Sequence, residues 1–138
     1  LIKDFKIKKP KMILAGINPH AGENMTISKD DNKYLMPILN NLKNKEIFVN
    51  GPISGDGVIN KENLKNYNAF IFTYHDQALI PFKIISNYEG VNFTSNLDII
   101  RVSPSHGTAE NLIGSNKAIS DGIINCFDLI KKIHKNRN

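Results

Sequence analysis

Short strand-like runs alternating with helical periodicities predict an α/β fold with a largely parallel or mixed sheet. Two observations carry this reading: strand-length runs at 12–17, uniformly apolar, and at 69–73, and helix-spaced apolar residues over 28–42 and 117–135. A third is the placing of the histidines. Three of the four, His20, His75 and His106, stand where an apolar run gives way to a polar loop containing Gly, Pro or Asp. In α/β proteins such loops form the edge on which ligands bind.

The elements follow in order. Residues 12–17 (Met-Ile-Leu-Ala-Gly-Ile) read as a buried strand. Over 28–42, Tyr34, Leu35, Ile38, Leu39 and Leu42 share one helical face. Ser28 is the expected cap, Asp30 and Asp31 suit the first turn, and Pro37 implies a kink or a later start. Residues 47–49 form a second strand, ending in a turn at Asn50-Gly51-Pro52, and Asn60 caps a short helix through Leu64. The run 69–73 is a third strand, delivering His75. Three further β candidates follow at 82–85, 91–94 and 99–102. Ile119, Ile123, Ile124, Phe127, Ile130 and Ile133 mark an amphipathic final helix over 117–135. A boundary is expected near 102–104, where strands yield to loop and helix.

Composition bounds the function classes. At 138 residues, 41% hydrophobic and 22% charged, the chain is long enough to bury a core and has the make-up of a globular protein. No apolar run approaches membrane-span length and no signal peptide is visible, so a cytoplasmic location is expected. The lone Cys126 has no disulfide partner and is expected buried. The net charge of +5 gathers at the ends: Lys3, Lys6, Lys8, Lys9 and Lys11, then Lys131, Lys132, Lys135 and Arg137. Solvated termini are the plain interpretation, and without interleaved aromatics or a reader motif no nucleic-acid partner is expected. The chain opens on Leu1, its first eleven residues resemble an entry segment, and a longer natural polypeptide is expected.

Several constellations carry chemistry. In Asn18-Pro19-His20-Ala21-Gly22-Glu23, Pro19 stiffens the approach to His20 and Gly22 permits close backbone approach. His75, ending a buried strand beside Asp76, is a second candidate metal ligand, and the Asp can orient the imidazole or accept a proton. Two histidines do not complete a site, since catalytic zinc takes three protein ligands. On spacing alone His106 could be a third; its small-residue turn, with Gly107 and Thr108, is better suited to cradling a nucleotide or phosphate. His134, among lysines, belongs on the surface. The loop Gly51-Pro52-Ile53-Ser54-Gly55-Asp56-Gly57 fits neither a Walker A motif nor a dinucleotide fingerprint. Asp56 there either bonds its own backbone or serves a metal as base or outer ligand. Lys83, Asn92 and Arg101 interrupt apolar β runs, where a charge is costly unless paired; together they suggest donors for a phosphate or carboxylate.

In order and spacing, seven segments resemble the 4-hydroxythreonine-4-phosphate dehydrogenase (PdxA) family of pyridoxal-phosphate biosynthesis. They are Leu14-Ala15-Gly16-Ile17-Asn18-Pro19-His20-Ala21-Gly22-Glu23, Gly51-Pro52-Ile53-Ser54, Tyr74-His75-Asp76-Gln77, Pro81-Phe82-Lys83, Val91-Asn92-Phe93-Thr94, Ile100-Arg101 and His106-Gly107-Thr108-Ala109. The resemblance, over about 12–130, implies the C-terminal portion of a subunit more than twice as long. Its implied fold is the two-domain architecture of isocitrate and isopropylmalate dehydrogenases, working as a homodimer with a shared interdomain site. On that basis 1–102 belong to the substrate- and metal-binding domain, and 103–138 return to a nucleotide-binding domain that is mostly outside this chain.

The resemblance also implies roles. His20 and His75 match two of three histidines that bind a divalent metal (zinc, magnesium or cobalt), the third lying upstream of Leu1. Lys83, Asn92 and Arg101 match substrate-binding positions, and His106, Gly107 and Thr108 the NAD or NADP side. The implied reaction oxidises the C3 hydroxyl of 4-phosphooxy-threonine, with later loss of CO2; Asp76 or Asp56 is the candidate for moving the hydroxyl proton. Ala78, Gly55-Asp56-Gly57 and Ser95-Asn96-Leu97-Asp98 depart from the family's usual residues, and Asn96 must accept the backbone angle of a glycine. The alternatives are a paralogue acting on threonate or erythronate 4-phosphate or a dihydrodiol acid, and a metal- or anion-binding fragment without catalysis of its own.

Overall fold

In a computed structural model that describes residues 1–138, the elements are α1 (Ile2–Phe5), β1 (Met12–Ala15), α2 (Met36–Asn44), β2 (Val49–Ile53), α3 (Lys61–Asn66), β3 (Ala69–Ile71), α4 (His75–Ser86), β4 (Val91–Thr94), β5 (Arg101–Pro104) and α5 (Asp121–Arg137). They fall into two compact units, Lys9–Pro81 and the union of Leu1–Lys8 with Phe82–Asn138.

In Lys9–Pro81 a three-stranded parallel sheet runs in the order β2-β1-β3. Side chains alternate across a strand, so central β1 feeds both faces. Ile13 and Ala15 pack with Val58 and the partly buried Ile53, Tyr67, Phe70 and Phe72. Leu14 packs on the other face with Leu35 and Leu39 from the α2 side. A strand covered on both faces must be apolar throughout, which is why 12–17 reads so plainly. The Asn60 carboxamide caps α3, accepting from the Asn63 N–H at 2.8 Å.

Two expectations for this unit change. The Asn50-Gly51-Pro52 segment does not end β2 but lies inside it, at a register shift against β1. Gly51 has φ 129°, and a Cβ there would come within 2.5 Å of the Leu14 carbonyl oxygen, so the irregular strand requires glycine. The helix expected over 28–42 opens as one wide turn, Asp31–Leu35, that passes in continuous right-handed helical backbone into α2, and Pro37 lies just past that junction.

In the other unit, β4 and β5 form an antiparallel pair backed by α5, with α1 also on α5. The first residues are therefore no mere entry segment. Phe5 meets Phe93 edge-on at 5.8 Å, and Asp4 is buried with Arg137, Nε to Oδ1 2.7 Å. This overturns Arg137 as part of a solvated terminus. The strand expected over 82–85 is the second half of α4, which continues through Pro81. A short apolar run is ambiguous between strand and helix, and a proline beside it favoured the wrong one. The last strand sits two residues later than expected, and α5 begins at Asp121 rather than 117. Its buried stripe is Gly122, Cys126 and Ile133, while Ile123, Ile124 and Phe127 face outward, half-exposed. Burial pushes the Cys126 thiol pKa up. No helix is long and apolar enough to cross a membrane.

Candidate functional site

All three strands of the parallel sheet point the same way, so the loops leaving β1, β2 and β3 gather at one edge. The β1 loop carries His20. Its path is set by Asp31, only 2% exposed, which accepts hydrogen bonds from the Ile17 N–H at 2.8 Å and the Asn18 N–H at 3.3 Å. The Asn18 side chain donates to Ser28 Oγ (3.0 Å) and Asp30 Oδ2 (3.2 Å). The chain then winds left-handed from His20 to Met25, with φ between 45° and 75° at every residue. That conformation costs roughly 1–2 kcal/mol for each non-glycine residue and persists only when held. Main-chain bonds from Ala21 to Asn18 O and from Glu23 to His20 O, both 3.0 Å, close the turn. At Gly22, φ 75°, a Cβ would lie 2.4 Å from the Ser28 carbonyl oxygen. The His20 ring stays exposed.

The β2 loop carries Asp56. The Ser54 hydroxyl donates to its carboxylate, and the Gly57 N–H donates to Ser54 O at 3.0 Å. The carboxyl is held below the usual range, first by that hydroxyl, then by its own main-chain amide, with His20's charge and the Gly57 amide adding. Asp56 thus closes its own turn, the first of its two expected parts. The β3 loop delivers His75 and Asp76 as the opening of α4, with Nδ1 to Oδ1 at 2.8 Å and both side chains about four-fifths exposed. A carboxylate on Nδ1 leaves Nε2 as the donor atom for a ligand.

Gln77 ties these loops together. Its Nε2 donates to the Gly16 carbonyl, at the root of the His20 loop, at 2.8 Å. The same amide lies on Gly55, where a Cβ would approach Nε2 to 2.5 Å. Asp31 and Gln77 hold the loops of this edge in place, a part that their neighbours in sequence do not signal. In sequence Asp31 suits a helix's first turn, and only the fold shows that it faces backward onto the β1 loop. The imidazoles and carboxylates at this edge are the nitrogen and oxygen donors a divalent cation takes, but no three His, Cys, Asp or Glu side chains are grouped to hold one.

The other unit carries the second cluster. In the β4–β5 pair Asn92 lies opposite Ser103 and Thr94 opposite Arg101, so these four side chains share one face of the hairpin. Arg101 Nη1 donates to Thr94 Oγ1 at 2.9 Å. Lys83 is on a helix, not in a strand, and its Nζ donates to Ser105 O at 3.0 Å. Lys83, Asn92 and Arg101 are all exposed, so the burial cost expected for them does not arise. Asn96 takes φ 61°, as a glycine-replacing residue there must; Asn tolerates that region better than most. His106 Nδ1 donates to Gly107 O at 3.0 Å, and Gly107 and Thr108 are exposed ahead of a single turn, Glu110–Leu112. His134 is exposed, as expected.

A family model described as pyridoxal phosphate biosynthetic protein PdxA matches residues 1–130. A 4-hydroxythreonine-4-phosphate dehydrogenase from Zymomonas mobilis is 42% identical over 118 residues, 86% of this chain and 35% of that protein. One from Caulobacter vibrioides is 36% identical over 137 residues, 99% of this chain and 41% of its own length. The crystal structure of 4-hydroxythreonine-4-phosphate dehydrogenase from Klebsiella pneumoniae superposes with a TM-score of 0.78 at 31% identity, covering 99% of this chain and 41% of that one. The chain thus spans about two fifths of the length of such relatives. With a model match over nearly its whole length and the same fold, the chain belongs to the PdxA family of pyridoxal phosphate biosynthetic proteins.

Proposed function

We propose that this chain supplies part of an NAD(P)-dependent, divalent-metal-dependent dehydrogenase that oxidises 4-phosphooxy-threonine, with subsequent decarboxylation, in vitamin B6 biosynthesis. The observation that carries the reading is that the loops bearing His20, Asp56 and the His75–Asp76 pair all leave the same edge of a parallel sheet. Family membership supports the reaction class. In this reading residues 1–102 belong to the substrate- and metal-binding domain and 103–138 to the nucleotide side. The working enzyme is a cytoplasmic homodimer with a site shared between subunits.

When bound, a divalent cation (zinc, magnesium or cobalt) supplies charge that polarises the substrate hydroxyl, and the nicotinamide supplies the hydride acceptor. His20 and His75 offer ring nitrogens to the cation. Asp76, bonded to His75 Nδ1, fixes that ring's tautomer and takes the C3 hydroxyl proton. Asp56, whose carboxyl the Ser54 hydroxyl holds below the usual range, is the alternative candidate for that proton and adds negative charge on the His20 side of the edge. Lys83, Asn92 and Arg101 bind the substrate's anionic and polar groups, and His106, Gly107 and Thr108 contact the cofactor.

Asp76→Asn is the discriminating variant, because an Asn oxygen still accepts from Nδ1–H while the base is gone. In the complete natural polypeptide, turnover should fall about 100-fold with metal content near that of the parent, in the range of general-base contributions. Unchanged turnover would rule Asp76 out. Metal-dependent NAD or NADP reduction on 4-phosphooxy-threonine, against threonate 4-phosphate, identifies the substrate within the family.

A further inference from the structure

The chain's only two arginines, Arg101 and Arg137, are joined by one loop. Arg101 opens β5, and the six residues 95–100 connect it to Thr94, its partner across the hairpin. No main-chain turn bond closes that loop. Its two central carbonyls, of Leu97 and Asp98, instead accept from Arg137 Nη1 at 3.0 and 3.1 Å. Arg137 is itself immobilised. Its Nε donates to Asp4 Oδ1 at 2.7 Å, both side chains are nearly buried, and the neighbouring Asn136 amide donates to Asp4 O at 2.7 Å. A planar guanidinium is the one side chain that can hold a carboxylate with one nitrogen and two carbonyls with another. The grip therefore reaches from α1, through the end of α5, to the loop that sets where Arg101 begins.

We propose that Arg137 is a positioning residue for Arg101, fixing the β4–β5 loop so that the Arg101 guanidinium meets an anionic group beside Asn92 without first having to be ordered. The proposal rests on the reading of Arg101 as an anion-binding residue. Preorganisation of this kind lowers the cost of binding rather than adding a contact. Its signature is a change in ligand affinity with little change in the chemical step.

The test uses the complete natural polypeptide and inorganic phosphate as the probe, with Arg101→Met, Arg137→Met and the double variant. Arg101→Met is expected to weaken phosphate binding about 100-fold, as loss of a charge-assisted bidentate partner does. Arg137→Met should weaken it about 10-fold, raise KM for the phosphorylated substrate similarly, leave kcat within about twofold, and speed amide exchange across 95–100. The double variant should bind no worse than Arg101→Met, because the second residue acts through the first. Additive losses, or full phosphate affinity in Arg137→Met, would overturn the proposal while the Arg101 reading stands. Full affinity in Arg101→Met would overturn that reading, and the proposal with it. Should Arg137→Met not fold, Arg137→Lys, which keeps a charge for Asp4 but releases the carbonyl pair, carries the same cycle.

Discussion

The two compact units hold polar side chains in place by different means. In Lys9–Pro81, His20, Asp56 and His75 stand on strand-end loops above six buried apolar residues, Ile13, Leu14, Ala15, Leu35, Leu39 and Val58. In the unit formed by Leu1–Lys8 and Phe82–Asn138, only Cys126 and Ile133 are buried apolar residues. There Asn92 and Arg101 are placed by register across a two-stranded ladder, and the ladder is tied by Arg137, Asp4 and the Asn125 amide on Glu89 O. An apolar core resists displacement collectively, whereas a polar tie depends on one geometry and on protonation. The first unit should therefore answer to lost volume, the second to crowding and pH.

Four substitutions sharpen or break that contrast. The largest effect is expected from Ile13→Ala, about 4 kcal/mol, because the central strand is covered on both faces and cannot collapse onto the cavity. Denaturant unfolding with amide exchange in β1 reads it, and an equal cost for Ile133→Ala would erase the contrast. Asp31→Ala comes next at about 3 kcal/mol, since it orphans the N–H groups of Ile17 and Asn18. Exchange at those two amides should accelerate most, and unchanged protection would show that the loop holds itself. Gly90→Ala probes the second unit. A Cβ there would meet Ser105 Oγ at 2.4 Å and Phe82 Cζ at 2.7 Å, so overpacking should cost about 2 kcal/mol, seen as a lower unfolding midpoint for Phe82–Asn138.

The smallest effect is a pH dependence. The Arg137 guanidinium beside Asp4 holds its carboxyl below the ordinary 3.8, so the folded state binds that proton more weakly than the unfolded one. The stabilisation is present above pH 3.8 and is lost as pH falls through the lower folded value. Unfolding midpoints taken between about pH 6 and about pH 2 should show the Asp4→Asn protein less stable at neutral pH and flatter on the acid limb. An unaltered acid limb would remove Asp4 from the account.

Much of the first unit was legible from the chain alone, because its signals are local. A doubly covered strand must be uniformly apolar, an Asn before a helix accepts the N–H three residues on, and a histidine after an apolar run stands at a sheet edge, although β3 before His75 is only partly buried and not the buried strand expected. The second unit was less legible. Phe82, Ile84 and Ile85, around Lys83, suit either period, and helix prevailed because α4 begins at His75 and runs through Pro81. The outward face of Ile123, Ile124 and Phe127 shows that helical spacing names two apolar stripes on α5, of which packing selected the one through Cys126.

By itself the sequence determined the α/β class, the strand-end histidines and the family resemblance, since each is written in neighbouring residues. Tertiary structure alone decided that Asp31 faces back onto the His20 loop and that Gln77 ties Gly16 to Gly55. It alone decided that Asp4 and Arg137, 133 positions apart, form one buried pair gripping the loop before Arg101. The physical reason is reach. Periodicity and capping act over a few residues of backbone, while a buried carboxylate's partner is chosen by whatever donors the fold brings to it.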